Sequence, residues 1–420
     1  MKIDVAVIGG GASGLAAAIA AAGRLRQAGV LGKTVIFERG QRVGRKLLAT
    51  GNGRCNLSNR FASPDRYHGG GRGFVEKVLA RFSVENTLDF FDGIGLPVVE
   101  DGEGRLYPRS QQAAAVLDVL RIEAERLGAE TLCGQEIVSI TFKGGSFLLV
   151  NAEGQRFAAQ AVIVAAGGEA SPSLGGGDGG YRLLTGLGHR VTPRLPAIVQ
   201  LKTDTSSIKG LSGLKAKGGV SLAGTGARAS GEILFTDYGL SGLAVMELSG
   251  EAVRRMAAGE QAAVLLDLAE EFSEAELVKF LARRAGSRPE KRLEDFLVGF
   301  LPKRVGQCAL KAAGAGPLSR EAGSLGKKEI AALAAQLKRW RLAVTGHNGM
   351  KNAQVTAGGA AVCEFSAASL ESKRCPGLYA CGEVLDVDGD CGGFNLQWAW
   401  SSGRLAGESA AMRVIGHEHY

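Results

Sequence analysis

The sequence is short of prolines, with 10 in 420 residues, and of aromatic side chains, at 6%. Its 63 glycines follow no repeating period, which excludes a collagen-like or Pro-rich extended chain. No run of about 18 or more strongly apolar residues occurs, so no membrane-spanning helix is expected. The opening "MKIDVAVIGGGASGLAAAIAAAG" has the outline of a secretory leader, but Asp4 and four glycines interrupt the apolar stretch such a leader needs. The seven cysteines are scattered, with neither CxxC spacing nor a Cys/His cluster. That excludes a zinc module and a disulfide framework, and reduced cytoplasmic thiols are the simplest account.

What is present suits a folded chain of two or three domains, with 45% hydrophobic residues and many tight turns. The net charge of +8 permits an anionic ligand or a nucleic acid. Much of the basic charge falls in residues 279–304, where acids are interleaved, so that stretch reads as a solvated helix face. Few aromatics and interleaved acids argue against a nucleic-acid surface.

Asp386, Asp388 and Asp390 alternate as at the start of a calcium loop. Counting from Asp386, position 6 is Cys391 and position 12 is Gln397, where such a loop needs Gly and a bidentate Glu. The metal reading fails on those two positions.

Residues 4–25 read as strand, turn and helix. Gly9, Gly11 and Gly14 fit GxGxxG: one permits the tight turn, one lets the backbone approach a pyrophosphate, and one allows close helix packing. The free N–H groups that follow, on Ala12, Ser13 and Gly14, face the phosphates. A second strand, "TVIFERG", ends in Glu38, placed to accept from both ribose hydroxyls of an adenosine and to disfavour a 2′-phosphate; Arg39 adjoins it. The buried strand "AVIVAA" runs through Ala165 and Ala166 into Gly167 and Gly168, and such a strand returns the chain to the first sheet.

With "IGGGASGL", "GRKLLATGNGRCNLSN", "YPRSQQAAAVLDVL", "GDGGYRLLTGLGH", "LFTDYGLSG", "VTAGGA" and "YACGEVLDVDGDCGGFNLQWAWSSG" in place, the chain resembles the FAD-binding oxidoreductases of the aminoacetone oxidase, or BaiN-like, family nearly end to end. The resemblance implies an α/β fold of the two-dinucleotide-binding-domain flavoprotein type, with a Rossmann-like FAD domain split in sequence. That domain would span residues 1–194 and 344–420, around an inserted β-rich domain (195–266) with a helical cap (267–343). It further implies that Arg45, Lys46, Asn52 and Asn56 run along the cofactor, and that backbone at Ile137 or Val138 meets the adenine. Gly382 and Glu383 would lie by the ribityl-phosphate region. Gly393, Asn395, Leu396 and Gln397 would form a helix mouth facing the N1–C2=O edge of the isoalloxazine, where reduction places negative charge. The aspartates would organise the turn before that helix, and Trp398 and Trp400 would be core. "GGEASPS", with Glu169 and Ser171, departs from the family pattern. So do Asp237 and Tyr238, where relatives carry His and an aromatic residue, so no proton donor is assigned there.

The function implied is an FAD-dependent oxidoreductase passing hydride between flavin and a small organic substrate, by amine oxidation or enone C=C reduction. The alternatives are an RNA-modifying flavoprotein and a flavin-binding protein without turnover. With one nucleotide fingerprint, NADH or NADPH would bind only transiently as electron donor. No Cys pair is spaced as a thiol relay, no catalytic set stands out, and His189 and His347 sit in turn-like contexts that suit structural roles.

Overall fold

The computed structural model describes residues 2–418. The chain divides into two units, one made of the residues up to Leu195 together with those from Gln354 onward, the other of Pro196–Ala353.

In the first unit five strands run parallel, in the order Glu130–Cys133, Thr34–Glu38, Lys2–Ile8, Arg156–Val164 and Leu378–Ala380. Ile3, Val5 and Val7 are wholly buried, as expected of a parallel strand covered on both faces. The long strand Arg156–Val164 also leads out of this core. Its first half pairs antiparallel with Ser146–Asn151, which pairs with Ile137–Lys143. The Ala-rich helix Ala12–Gln27 crosses from the first strand to the second, and the small side chains let it bury eleven residues. The last helix, Phe394–Glu418, packs along it. A Cβ at Gly407 would run into the Ala17 carbonyl oxygen, so glycine there sets how closely the two helices approach.

The second unit is built on a closed six-stranded barrel. Its order is Leu201–Thr203, Gly239–Ser241, Arg228–Phe235, Lys215–Leu222, Ala263–Asp267 and Trp340–His347, every neighbour antiparallel. The β-rich insertion thus takes its sixth strand from beyond the helices. A division at residue 344 would cut that strand, and the chain instead divides after Ala353. Between the fifth and sixth strands lie three helices, Glu274–Ser287, Lys303–Ala312 and Lys327–Lys338. Ser273 opens the first with a reciprocal cap: its hydroxyl accepts from Glu276 N, and Glu276 accepts from Ser273 N. No helix among the described residues is long and apolar enough to cross a membrane.

Candidate functional site

Three neighbouring parallel strands end together. Gly9 N donates to Phe37 O and Ala165 N donates to Ile8 O, both at 2.8 Å. Gly9 turns the chain with φ +108°, and a Cβ there would lie 2.5 Å from Ala165 O. A Cβ at Gly14 would strike Gly9 O, so helix and turn touch only because both residues are glycine. Around Gly11 the space is open. The first helix has no side-chain cap and no acid in its first turn. Its first internal bond is Leu15 N to Gly11 O, which leaves the N–H groups of Ala12, Ser13 and Gly14 ahead of the ladder. Donors, dipole and vacant approach together make an anion cradle.

Glu38 closes the cradle's flank. Its Oε2 accepts from Gly10 N at 2.9 Å and its Oε1 from Gly40 N at 2.7 Å. Each oxygen keeps lone-pair capacity for a hydroxyl. Gln135 N donates to Glu38 O at 2.9 Å, which brings the chain entering Ile137 alongside. Ile137 is buried, whereas Val138 sits at an irregularity in the register and is exposed.

The basic residues are more engaged than their sequence positions suggest. Arg39 donates to the carbonyls of Gly175 and Gly176, and Arg45 to Ser173 O at 2.7 Å. Neither guanidinium has a carboxylate partner among the described residues. Lys46 does: it pairs with Glu383 at 2.7 Å, and the other oxygen of Glu383 accepts from Thr356 N at 2.9 Å. Thr356 Oγ1 in turn accepts from Ala170 N, and a Cβ at Gly168 would collide with both Thr356 and Glu383. One network therefore gathers Lys46, Gly168, Thr356 and Glu383. Thr356 lies in "VTAGGA" but had not been singled out as a site residue.

Gly382 has φ +74°, and a Cβ there would press on the Ser13 hydroxyl. Trp398 Nε1 donates to Gly382 O at 3.1 Å and Trp400 Nε1 to Leu57 O at 2.8 Å; both rings are core.

The last helix begins at Phe394, after Gly392 and Gly393, both with positive φ. A Cβ at Gly393 would lie 2.8 Å from Asn56 Oδ1, and that oxygen is buried with no partner among the described residues. Asn52, on the same loop with φ +55°, is exposed. Asn59, missed in the sequence although it ends the quoted motif, donates to Gly392 O at 2.8 Å and fixes the helix mouth.

Two site assignments change here. Gln397 does not face the mouth. Its side chain is wholly buried, accepting from Ser58 Oγ at 2.6 Å and donating to Thr87 Oγ1 and Ser401 Oγ at 2.9 Å, and its N–H bonds Gly393 O. Asn395 spends its amide on the preceding turn, bonding both N and O of Gly389 at 2.8 Å. That is the ordering role expected of the aspartates. Asp390 instead pairs with Arg66 and His68. At this mouth, backbone N–H groups and the Asn56 carbonyl are what remain for a ligand.

Nearby ionisable groups are structural. Burial pushes the Cys55 and Cys381 thiols up to about 12, so neither is a thiolate at neutral pH. His189 is buried between Glu364 and Ser372 and stacked on Phe365. Glu169 is held by Arg194 at 2.8 Å. No group of three metal-ligating side chains exists among the described residues.

FAD fits these residues: its diphosphate suits the open, uncapped helix N-terminus, its ribose the two oxygens of Glu38, and a hydrogen-bond donor of its own the orphaned Asn56 Oδ1. When bound it supplies two-electron hydride chemistry. A parallel sheet whose strand ends carry this cradle is a Rossmann-type dinucleotide site, and the family and relatives that follow give the class: the protein is an FAD-dependent oxidoreductase, a hydride-transferring flavoenzyme. The chain belongs to the HI0933-like protein Rossmann domain family, which it matches over residues 3–409, and its resemblance to BaiN-like flavoproteins holds.

A 3-dehydro-bile acid delta(4,6)-reductase of Clostridium scindens is 38% identical over 97% of this chain and 99% of its own length. A ribosomal RNA dihydrouridine synthase of Escherichia coli is 31% identical over 96% of each chain. One from Haemophilus influenzae is 30% identical over 94% of this chain and 95% of its own.

Proposed function

We propose that this protein reduces a carbon–carbon double bond conjugated to a carbonyl in a small organic substrate, using FAD. The observation that carries this reading is the near end-to-end match, at 38% identity, to a protein named for reducing an unsaturated 3-oxo bile acid. The two further full-length relatives are named for making dihydrouridine. Uracil's C5=C6 bond is conjugated to its C4 carbonyl, so both names describe one type of reaction. Amine oxidation has no such support. In this reading Ala12, Ser13 and Gly14 hold the diphosphate, Glu38 the ribose, and Asn56 with the backbone of residues 393–396 the ring. NADH or NADPH serves as a transient donor, because a single nucleotide fingerprint is present. No disulfide joins the seven cysteines among the described residues, which suits a reducing compartment such as the cytoplasm.

The second reading, modification of RNA, is favoured by the two synthase relatives. We rank it second because acids are interleaved in the basic stretch and aromatics are few. In the basic stretch Arg288 pairs with Glu290, Arg292 with Glu294 and Lys303 with Asp295, so three of its cations are engaged by acids of the same stretch.

The deciding test is anaerobic stopped-flow spectroscopy of the FAD-loaded protein. We expect bleaching by NADH or NADPH, then reoxidation by conjugated ketones and not by amine-derived imines. Reoxidation by unmodified ribosomal RNA alone would establish the second reading in place of the first. Reduced protein that no acceptor reoxidises would leave a flavin-binding protein without turnover.

A further inference from the structure

Away from the cofactor cradle, the first unit carries a groove of about 1200 Å³, and every residue lining it belongs to that unit. Its floor is the line along which the helices Ala12–Gln27 and Phe394–Glu418 pack, and the helices Val84–Gly93 and Ala113–Arg126 flank it. Gly23 lies about 14 Å along the first helix from Gly14, at 1.5 Å per residue. Groove and cradle therefore sit toward opposite ends of one helix. Ala20, Gly23 and Ser409 keep the floor low, and a Cβ on Gly23 would meet only Leu127, at 3.7 Å. Ile19, Ile94, Leu127 and Leu405 make the sides apolar. Such a site takes a largely apolar ligand that a few polar groups orient.

Six arginines line the groove against four acids, an excess of two positive charges. Three of the arginines are engaged. Arg126 forks onto Glu123 at 2.7 and 2.8 Å, Arg413 pairs with Glu371 at 3.2 Å, and Arg26 donates to Arg126 O at 3.1 Å. Arg81 has no side-chain partner among the described residues, and Arg24 reaches only the Met412 sulfur, a weak acceptor. The two remaining acids are Asp89, which is exposed, and Glu408, which is half-exposed.

Arg404 is the least satisfied cation. Its guanidinium lies over the Phe90 ring at 4.9 Å and the Phe82 ring at 5.4 Å, which holds its plane. Its Nε is buried without a partner, and its one hydrogen bond is a long one, 3.4 Å to Glu408. Burial lowers its pKa more than Glu408 raises it. A mostly buried guanidinium with one distant carboxylate lacks the close counter-charge that burial demands. The side chain keeps 21% exposure and lines the groove, so an edge of the fork remains open there.

We propose that this groove binds an elongated apolar carboxylate of the medium-chain fatty-acid kind. The head group takes the open edge of Arg404, because a carboxylate matches a fixed guanidinium fork with two parallel N–H···O bonds. The chain lies over Ala20 and Gly23 toward Met412, about 12 Å further along the last helix. This site goes beyond the reductase reading and stands without it.

The test titrates FAD-loaded full-length protein calorimetrically with octanoate, octan-1-ol and acetate. Octanoate should bind one to one. The alcohol, which lacks the charge, and acetate, which lacks the chain, should bind about tenfold more weakly or worse. Arg404→Leu should weaken octanoate by about tenfold or more. Gly23→Leu leaves Arg404 in place and fills the floor, and should weaken octanoate as strongly while FAD stays bound. That second variant decides the matter if the first fails to fold. Wild-type protein that does not bind octanoate, an affinity unchanged in either folded variant, or octan-1-ol or acetate bound as tightly as octanoate would overturn the proposal. None of these outcomes touches the reductase reading, which the reoxidation experiment decides.

Discussion

Glu38 accepts the Gly10 N–H at 2.9 Å, and so ties the end of the second strand to the glycine turn after the first. Its other oxygen holds Gly40 N. The carboxylate thus shapes the cradle before any ribose arrives. Glu38→Gln keeps the side-chain size, removes the charge and gives up one of the two backbone N–H acceptors, since an amide nitrogen cannot accept. Hydrogen bonds to charged groups contribute about 1.5–3 kcal/mol each, so the dissociation constant for FAD, measured by fluorescence titration of apoprotein, should rise by about tenfold or more. An unchanged constant would remove Glu38 from the ribose role.

How much of this was legible follows from where each partner lies in the sequence. Gly9, Gly14 and Glu38 could be read because their requirements are local: a positive φ, a close approach of helix to turn, and a carboxylate at the end of the next strand. Gln397 could not. Its partners Ser58 and Thr87 lie more than 300 residues away, and whether a first-turn side chain faces a ligand or the core depends on how the helix is rotated against its neighbours. The pair of Lys46 with Glu383, 337 residues apart, was hidden for the same reason. The barrel's last strand was misplaced because "RLAVTG" carries no signal that five other strands need a sixth to close.

Gln397 tests the difference between a scaffold and a contact. Gln397→Leu leaves the Ser58, Thr87 and Ser401 hydroxyls without their shared partner in a buried setting. We expect a loss of about 2–4 kcal/mol in unfolding free energy by urea denaturation at saturating FAD. Weaker FAD binding with unchanged stability would return Gln397 to the cofactor.

Glu364 and His189 predict how stability responds to acid. Burial works against the Glu364 charge, but hydrogen bonds from Arg374 and Arg190 prevail and bring its pKa from the ordinary 4.5 to about 2. The unfolded chain therefore takes up that proton first. The stability Glu364 contributes is complete above about pH 4.5 and is lost as pH falls through about 2. Burial lowers the His189 pKa below 6.5, more than the attraction of Glu364 raises it. Its contribution has the same sign, complete above pH 6.5 and declining below it. Urea midpoints taken from pH 7 downward should fall throughout, and Glu364→Gln should flatten the part below pH 4.5. A midpoint that rises on acidification would contradict both assignments.

The thiols separate a flavin that works alone from one that passes electrons to cysteine. Cys133 and Cys363 are exposed, whereas Cys55, Cys375 and Cys381 are buried. Burial raises the Cys55 and Cys381 thiols to about 12, which at pH 7.5 leaves a vanishing thiolate fraction in addition to blocking access. Native protein treated with an aromatic disulfide reagent should therefore release about two equivalents quickly, the half-buried Cys308 and Cys391 following slowly. The three buried thiols should react only after denaturation. Reduction of the flavin with excess donor should leave that pattern unchanged, since no electrons reach a cysteine pair. Two additional fast thiols appearing on reduction would reveal a disulfide relay and displace the flavin-only chemistry argued above.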